Sequence, residues 1–351
     1  MRTVDWDSTR QEVQLIDQRL LPGRLEIATV RDVFVLAQAI RDMVVRGAPA
    51  IGVTAAYGMA LAACRSSAST TKDLHDDLVR AAETLRASRP TAVNLGWAID
   101  HMVELVHMPG TSVEELRRRL IDEAVRMADE DVLVNKRMAC FGADLIEDGD
   151  TIIHHCNTGA LATVDWGTAL GCIRMAHEQG KKVHVLVDET RPRLQGARLT
   201  AWELTQYGIS YEIISDNAAG YFLHSGQAQK VMFGADRVAA NGDVANKIGT
   251  YMLALAAHAN DVPVYAVMPT STIDLSIPDG SQIPIEERDP DEVLNIQING
   301  EKVVPSGAKA RNPAFDVTPH ALLTALVTDK GVVYPPFMSH LAKMVGVGST
   351  R

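Results

Sequence analysis

Thr151-Ile-Ile-His-His-Cys-Asn-Thr-Gly159 opens the half of the chain whose rhythm decides the fold. The apolar run Thr151–Cys156 predicts a strand, and the pattern over Thr158–Gln179 predicts a helix. The alternation continues: Val183–Val187 extended, Ala197–Tyr207 helical, Ser210–Ile214 extended, Ala218–Gln227 helical. Lys230–Phe233 then reads as a strand, Val244–Ala259 as a helix and Val262–Val267 as a strand. Short strands separated by helices predict a parallel sheet covered on both faces, a Rossmann-like α/β architecture. Ligands of such sheets bind beyond the carboxyl ends of the strands. Those ends carry His155-Cys156-Asn157-Thr158-Gly159, Asp188-Glu189-Thr190-Arg191, Asp216-Asn217 and Gly234-Ala235-Asp236-Arg237.

The first half reads differently. Val13–Gln18 and Arg24–Thr29 flank Leu21-Pro22-Gly23 as a hairpin would. Helical patterns follow over Val30–Val45, Ala48–Cys64 and Thr71–Ala87, with another from Asn94. A charged amphipathic pattern runs from Ser112 towards Leu145, with Glu114 and Glu115 placed to suit a helix dipole. This helix is expected to connect a small mixed α/β domain, residues 1–145, to the Rossmann-like domain, residues 146–351.

The 351 residues carry a formal charge of -10, which argues against a general nucleic-acid binder. Four scattered cysteines, Cys64, Cys140, Cys156 and Cys172, form neither a metal spacing nor a disulfide scaffold and suit a reducing compartment. The apolar stretch Ala48–Cys64 is built from Ala and Gly and reads as a buried core helix rather than a membrane span. The expectation is a soluble, cytoplasmic protein that engages neither nucleic acid nor membrane.

No Gly-x-Gly-x-x-Gly follows the first strand of the second half, and no Gly-x-x-x-x-Gly-Lys-Ser/Thr occurs, so neither a dinucleotide nor a nucleoside triphosphate is expected. Gly159 suits either a phosphate loop or close helix–strand packing. Arg46-Gly47-Ala48-Pro49 combines a helix start with an arginine; it is either an anion site or a plain helix start. Arg89 precedes a proline in what reads equally as a surface loop. His154 and Cys156 share a strand face, but a metal would need Asp188 or Asp236 as well, and no second ligand motif supports one. Cys156 is either an inert buried thiol or one activated at a strand end. Asp236 leaves an apolar strand, where a carboxyl group can be held as a proton donor, or else caps a turn. Asn246-Lys247 lies near the start of the next helix, where the lysine could neutralise phosphate.

Several stretches together resemble the methylthioribose-1-phosphate isomerase family of methionine salvage. They are Arg46-Gly-Ala-Pro-Ala-Ile-Gly-Val53, Arg89-Pro-Thr-Ala-Val-Asn-Leu-Gly-Trp97, His155-Cys-Asn-Thr-Gly-Ala-Leu-Ala-Thr163, Asp188-Glu-Thr-Arg-Pro-Arg-Leu-Gln-Gly-Ala-Arg-Leu-Thr200 and the run Gly234–Thr250. Ile283–Arg288 and Asn312–Pro319 match as well. The resemblance implies an aldose–ketose isomerase acting on a phosphorylated pentose as a homodimer, without metal or organic cofactor. It implies Cys156 and Asp236 as the catalytic residues. Arg46, Gly47, Ala48, Arg89, Gln195, Asn246 and Lys247 follow as substrate contacts. Two alternatives stay open: a related isomerase of 5-deoxyribose 1-phosphate or ribose 1,5-bisphosphate, and a non-catalytic regulator similar to the regulatory subunits of the translation-initiation exchange factor.

Overall fold

A computed structural model describes residues 2–90, 92–107 and 112–346. The chain forms two compact units, Met1–Lys136 with Thr158–Gly167, and Arg137–Asn157 with Thr168–Arg351.

The first unit begins with an antiparallel meander, β1 (Val4–Asp7), β2 (Glu12–Ile16) and β3 (Ile27–Val30). The hairpin expected around Leu21-Pro22-Gly23 is therefore the second half of a three-stranded sheet. Four helices follow: α1 (Val33–Arg41), α2 (Ala48–Arg65), α3 (Thr71–Ser88) and α4 (Val93–Glu104). Val30 ends a strand rather than opening a helix, because Asp32 accepts from the Phe34 and Val35 amides and starts α1 there. Thr70 does the same for α3 through the Asp73 amide. Helix α2 is the Ala/Gly-rich segment, and its residues are buried nearly all round, as a helix inside a protein core should be. Its small side chains permit close approach: the Gly58 position faces Leu36 and Leu85 at 3.0 Å from where a Cβ would stand. The long helix α5 (Val113–Ala143) starts at Ser112, whose hydroxyl accepts from the Glu115 amide.

In the second unit the strands are β4 (Thr151–His154), β5 (His184–Asp188), β6 (Ser210–Ile214) and β7 (Lys230–Gly234). Then come β8 (Arg237–Ala239), β9 (Val244–Lys247), β10 (Val264–Val267) and β11 (Ile273–Asp274). A hairpin of β12 (Gln297–Ile298) and β13 (Glu301–Lys302) precedes β14 (Phe315–Thr318), β15 (Ala325–Thr328) and β16 (Gly331–Val333). Seven of these form one sheet in the order β16-β15-β10-β7-β4-β5-β6, parallel throughout except for the edge strand β16. The chain runs from β4 outward through β5 and β6, returns to place β7 beside β4, and proceeds the other way through β10 and β15. The reversal between β4 and β7 is the topological switch point of a doubly wound sheet, where such folds hold ligands. The helices are α6 (Ala169–Glu178), α7 (Ala201–Tyr207), α8 (Ala219–His224), α9 (Thr250–His258), α10 (Asp291–Leu294) and α11 (Phe337–Gly346).

Two expected helices are shorter than the apolar pattern suggests. Residues 158–167 are turns with one short 3₁₀ turn, Ala160–Ala162, and α6 begins only at Ala169. Here Thr163 donates to the Asp165 carbonyl, Asp165 accepts from the Trp166 amide, and Gly167 sits at φ +85. Such local side-chain bonds compete with the helix. Residues 244–259 divide likewise. Val244–Lys247 pairs with both β8 and β14, and Gly249 at φ +104 breaks the chain before α9. These strands, with β11, make a second sheet of order β11-β8-β9-β14 that the alternation did not foretell.

Candidate active site

Beyond the carboxyl ends of β7, β4, β5 and β6, four adjacent strands, stand Asp236, Cys156, Thr190 and Asp216. Cys156 and Asp236 therefore flank the switch point, one on each side of it. Cys156 is buried and adopts φ +66, the left-handed region that non-glycine side chains enter at a cost of about 1–2 kcal/mol. Its amide donates to Thr190 Oγ1 at 2.9 Å, and its carbonyl accepts from Thr200 Oγ1 at 2.7 Å. Thr200 also accepts from Asn157 Nδ2, which donates to Glu203 Oε1 at 2.7 Å. Strained residues persist where their surroundings over-determine them, and they gather at functional sites.

Asp236 is exposed. The apolar setting expected for its carboxyl belongs to β7, which is buried at every position, while the side chain itself lies past the strand end. The Asp236 amide donates to the Ala245 carbonyl at 2.9 Å, so the β8–β9 pairing brings it beside Asn246 and Lys247. Asn246 is buried and donates to Thr250 Oγ1. Lys247 donates to the Ala314 carbonyl at 2.9 Å and lies 4.2 Å from the centre of the Phe315 ring. Both residues thus sit on β9 rather than on a helix. The amides that open α9 are taken by Asp316 of β14, which accepts from Gly249 and Tyr251.

Gln195 follows a sharp turn after β5. Gly196 there comes so close to β5 that a Cβ would lie 1.7 Å from the Asp188 carbonyl oxygen. Gln195 is buried, and its Oε1 has no hydrogen-bond partner among the described residues. Such an acceptor suits a ligand hydroxyl.

His155, next to Cys156, ties three of these segments together. Nδ1 meets Asp188 Oδ2 at 2.8 Å, and Nε2 donates to the Ile248 carbonyl at 2.9 Å. A carbonyl only accepts, so Nε2 carries a proton, and the carboxylate favours a second on Nδ1. Burial opposes the charge, but Asp188 prevails and raises the imidazole above its ordinary value. Burial pushes the Asp188 carboxyl up to about 6, with His155 pulling it back. The charged pair thus exists from about pH 6 to the raised value of His155. A base raised in the folded state contributes stability that is complete below its unfolded value and lost as pH climbs through the folded one. Asp188 acts in the same direction, since ionising it inside the protein costs stability as pH rises through about 6. The unfolding free energy of the native chain relative to His155→Gln should therefore shrink as pH climbs from the ordinary histidine value of about 6.5 through the raised value of His155. A difference that stays flat in urea titrations over that range would remove the buried imidazolium.

His155, Asp188 and Asp216 offer atoms within 4.8 Å of one another, a spacing a metal ion could use. Each is already engaged: Asp216 accepts from the Thr190 and Arg191 amides at 2.7 and 2.8 Å, and Asp188 from His155. The arrangement is a hydrogen-bonded scaffold behind Cys156.

In the first unit, Gly47 caps α2 at φ +97 and a Cβ there would lie 2.2 Å from the Ala162 carbonyl oxygen. Pro49 stands in the first turn of the helix, and Arg46, Gly47 and Ala48 are half-buried at its start. Arg89 is half-buried at the end of α3. Asn94 of α4 has its carbonyl oxygen 3.1 Å from where a Cβ on Gly52 of α2 would stand. Residues 158–167 are fastened into this unit by Thr3 Oγ1 to the Ala160 carbonyl, Gln18 Nε2 to the Leu161 carbonyl, and the Val164 amide to Asp131 Oδ2.

The sequence placed Thr190 and Asp216 at strand ends but gave neither a role, and it singled out neither Thr200 nor Asp316. Thr200 and Asp316 carry no local pattern that distinguishes them.

The chain belongs to the Initiation factor 2 subunit family, whose model matches residues 44–335. Among its relatives, methylthioribose-1-phosphate isomerase 2 of Pseudothermotoga lettingae is 52% identical over 346 residues, 98% of each chain. The methylthioribose-1-phosphate isomerase of Synechococcus sp. is 50% identical over 96% of each. The crystal structure of 5-methylthioribose 1-phosphate isomerase from Pyrococcus horikoshii superposes with a TM-score of 0.93 at 45% identity, covering 99% of this chain and 96% of that one. Translation initiation factor eIF-2B, subunit delta, from A. fulgidus superposes at 0.89 with 42% identity, covering 99% of both. Among the described residues no helix is long and apolar enough to cross a membrane.

Proposed function

We propose that this chain is an aldose–ketose isomerase of methionine salvage, converting 5-methylthio-α-D-ribose 1-phosphate to 5-methylthio-D-ribulose 1-phosphate. The observation that carries this reading is near-full-length identity of about half to isomerases of that name, in a chain with Cys156 and Asp236 at the switch point. Phosphate on the anomeric oxygen blocks the spontaneous ring opening of a free sugar, so the enzyme must assist it. Asp236 donates a proton to the ring oxygen as the C1–O4 bond breaks. Hydrogen then moves from C2 to C1 while the C2 hydroxyl gives its proton to the carboxylate left on Asp236 by the first step and becomes the ketone. Cys156 serves that transfer, either as the base of an enediol route or by stabilising the charge that develops in a direct hydride shift. Arg46, Gly47, Ala48, Arg89, Gln195, Asn246 and Lys247 are the contacts to the phosphorylated sugar that the family resemblance implies. The enzyme works as a homodimer in the cytoplasm, a reading supported by the family resemblance and by four free cysteines, one of them exposed.

The likeness to subunit delta of the A. fulgidus factor supports a second reading, a regulator that binds such ligands without turnover. A coupled assay on 5-methylthioribose 1-phosphate, 5-deoxyribose 1-phosphate and ribose 1,5-bisphosphate separates these readings. The expected result is highest kcat/KM on the methylthio substrate; binding without turnover on any of the three would sink the enzyme. Substrate deuterated at C2 divides the routes, since retention at C1 belongs to the hydride shift and washout to the enediol.

A further inference from the structure

Cys156 is held at both of its backbone polar groups by threonine hydroxyls that come from two turns of the same segment. Thr190 Oγ1 accepts from its amide at 2.9 Å, and Thr200 Oγ1 donates to its carbonyl at 2.7 Å. Neither hydroxyl is an accident of a flexible surface, because both threonines are fully buried. Thr190 has a second task, donating to the Asp188 carbonyl at 3.0 Å. It is itself in the left-handed region at φ +63, where a β-branched residue is an outlier. What maintains that conformation is Asp216 beyond β6, whose two carboxylate oxygens accept from the Thr190 and Arg191 amides at 2.7 and 2.8 Å. Thr200 is held in turn by Asn157, which donates to it at 3.2 Å and to Glu203 at 2.7 Å. Charge-assisted bonds of the Asp216 kind are about twice as strong as neutral ones, so the outer anchor is stiffer than the contacts it supports.

A left-handed cysteine at a strand end will relax unless opposed, since the extended and helical regions are open to it. The bonds that oppose it run outward across three neighbouring strands, from Cys156 after β4 to Thr190 after β5 to Asp216 after β6. We propose that Thr190 and Thr200 are positioning residues that clamp Cys156 in its left-handed conformation, with Asp216 setting the position of Thr190. This inference rests on the reading of Cys156 as the group that serves the C2-to-C1 transfer. It adds that the thiol's placement depends on hydroxyls that touch only its backbone.

The test compares Thr190→Val, Thr190→Ser and Thr200→Val with the native enzyme and with Cys156→Ala, all as full-length protein. Valine keeps the shape of threonine and removes the hydroxyl; serine keeps the hydroxyl. Thr190→Val should lower kcat on 5-methylthioribose 1-phosphate by about 10²-fold, the scale of an ångström misplacement, with KM within about twofold. Thr200→Val should do the same, and Thr190→Ser should stay within about threefold of native. The second readout needs no turnover: alkylation of Cys156 by iodoacetamide, followed by peptide mass spectrometry, should speed up in both valine variants and not in the serine variant. A Thr190→Val enzyme with native kcat overturns the clamp. So does a loss of kcat without any change in Cys156 alkylation, because the threonine would then act by another route. A Cys156→Ala enzyme that keeps native turnover would instead overturn the catalytic reading of the thiol, and the alkylation rates would still decide whether the clamp exists. A melting temperature that falls while kcat and alkylation stay native marks a merely structural role and also overturns the inference.

Discussion

Asp236→Asn lowers turnover on 5-methylthioribose 1-phosphate by about 10²–10⁴-fold, the range over which a positioned general acid acts. Asparagine is nearly the same size and keeps an acceptor oxygen, but it has no acidic proton to give the ring oxygen when the C1–O4 bond breaks. The fold should not register the change. Asp236 is exposed, and the backbone bond from its amide to the Ala245 carbonyl is left intact by the substitution. An exposed substitution of this kind ordinarily moves stability by no more than about 0.5 kcal/mol. The discriminating measurement is therefore kcat beside the melting temperature and substrate affinity. An asparagine variant that binds substrate and turns it over at close to the native rate would remove Asp236 from the chemistry.

Gly47→Ala acts through the backbone instead. At φ +97 and ψ 134 the residue lies in a region that only glycine enters cheaply, so alanine brings strain of about 1–3 kcal/mol. The new Cβ would also stand 2.2 Å from the Ala162 carbonyl oxygen, closer than atoms can approach, and that neighbour is backbone. Either the start of α2 or the 158–167 segment must move. A drop of several degrees in melting temperature is expected, since about 1 kcal/mol shifts a domain of this size by about 2–4 °C. A weaker affinity for inorganic phosphate should accompany it if Arg46 and the α2 amides hold the phosphate. Native melting and native phosphate affinity in the alanine variant would contradict both parts.

The Rossmann-like sheet was legible because its central strands are buried on both faces and read as unbroken apolar runs between helices; β7 is buried at all five of its positions. The same logic misled where an apolar pattern was not a helix. Val244 and Ala245 are buried because β9 is covered in a second sheet, and neither its pairing with β14 nor the stop at Gly249 has a local signature as long as its partner lies some seventy residues away. For the candidate site, position put Cys156 and Asp236 at strand ends, where ligands of such sheets go, but left an inert thiol and a turn cap as alternatives; it is the family resemblance that implies them as catalytic. Their exposure and strain were not legible. Asp236 was expected within apolar surroundings and is exposed, and no pattern in His-Cys-Asn announces φ +66 at the cysteine. Thr190 and Thr200 escaped for a related reason: a hydroxyl that holds another residue's backbone looks, in sequence, like any other threonine.

The ten residues Thr158–Gly167 belong to the first unit although their neighbours on either side belong to the second. Thr3 and Gln18 each make a buried hydrogen bond to that returning stretch, and Asp131 a partly buried one. Neither unit is thus a continuous piece of gene. A cut anywhere near residue 140 yields an amino-terminal fragment stripped of the partners for those side chains, and a carboxy-terminal one carrying ten residues with nothing to line. Exchange of whole units between relatives by a single recombination event would leave the same defect, so the two are bound to be inherited together.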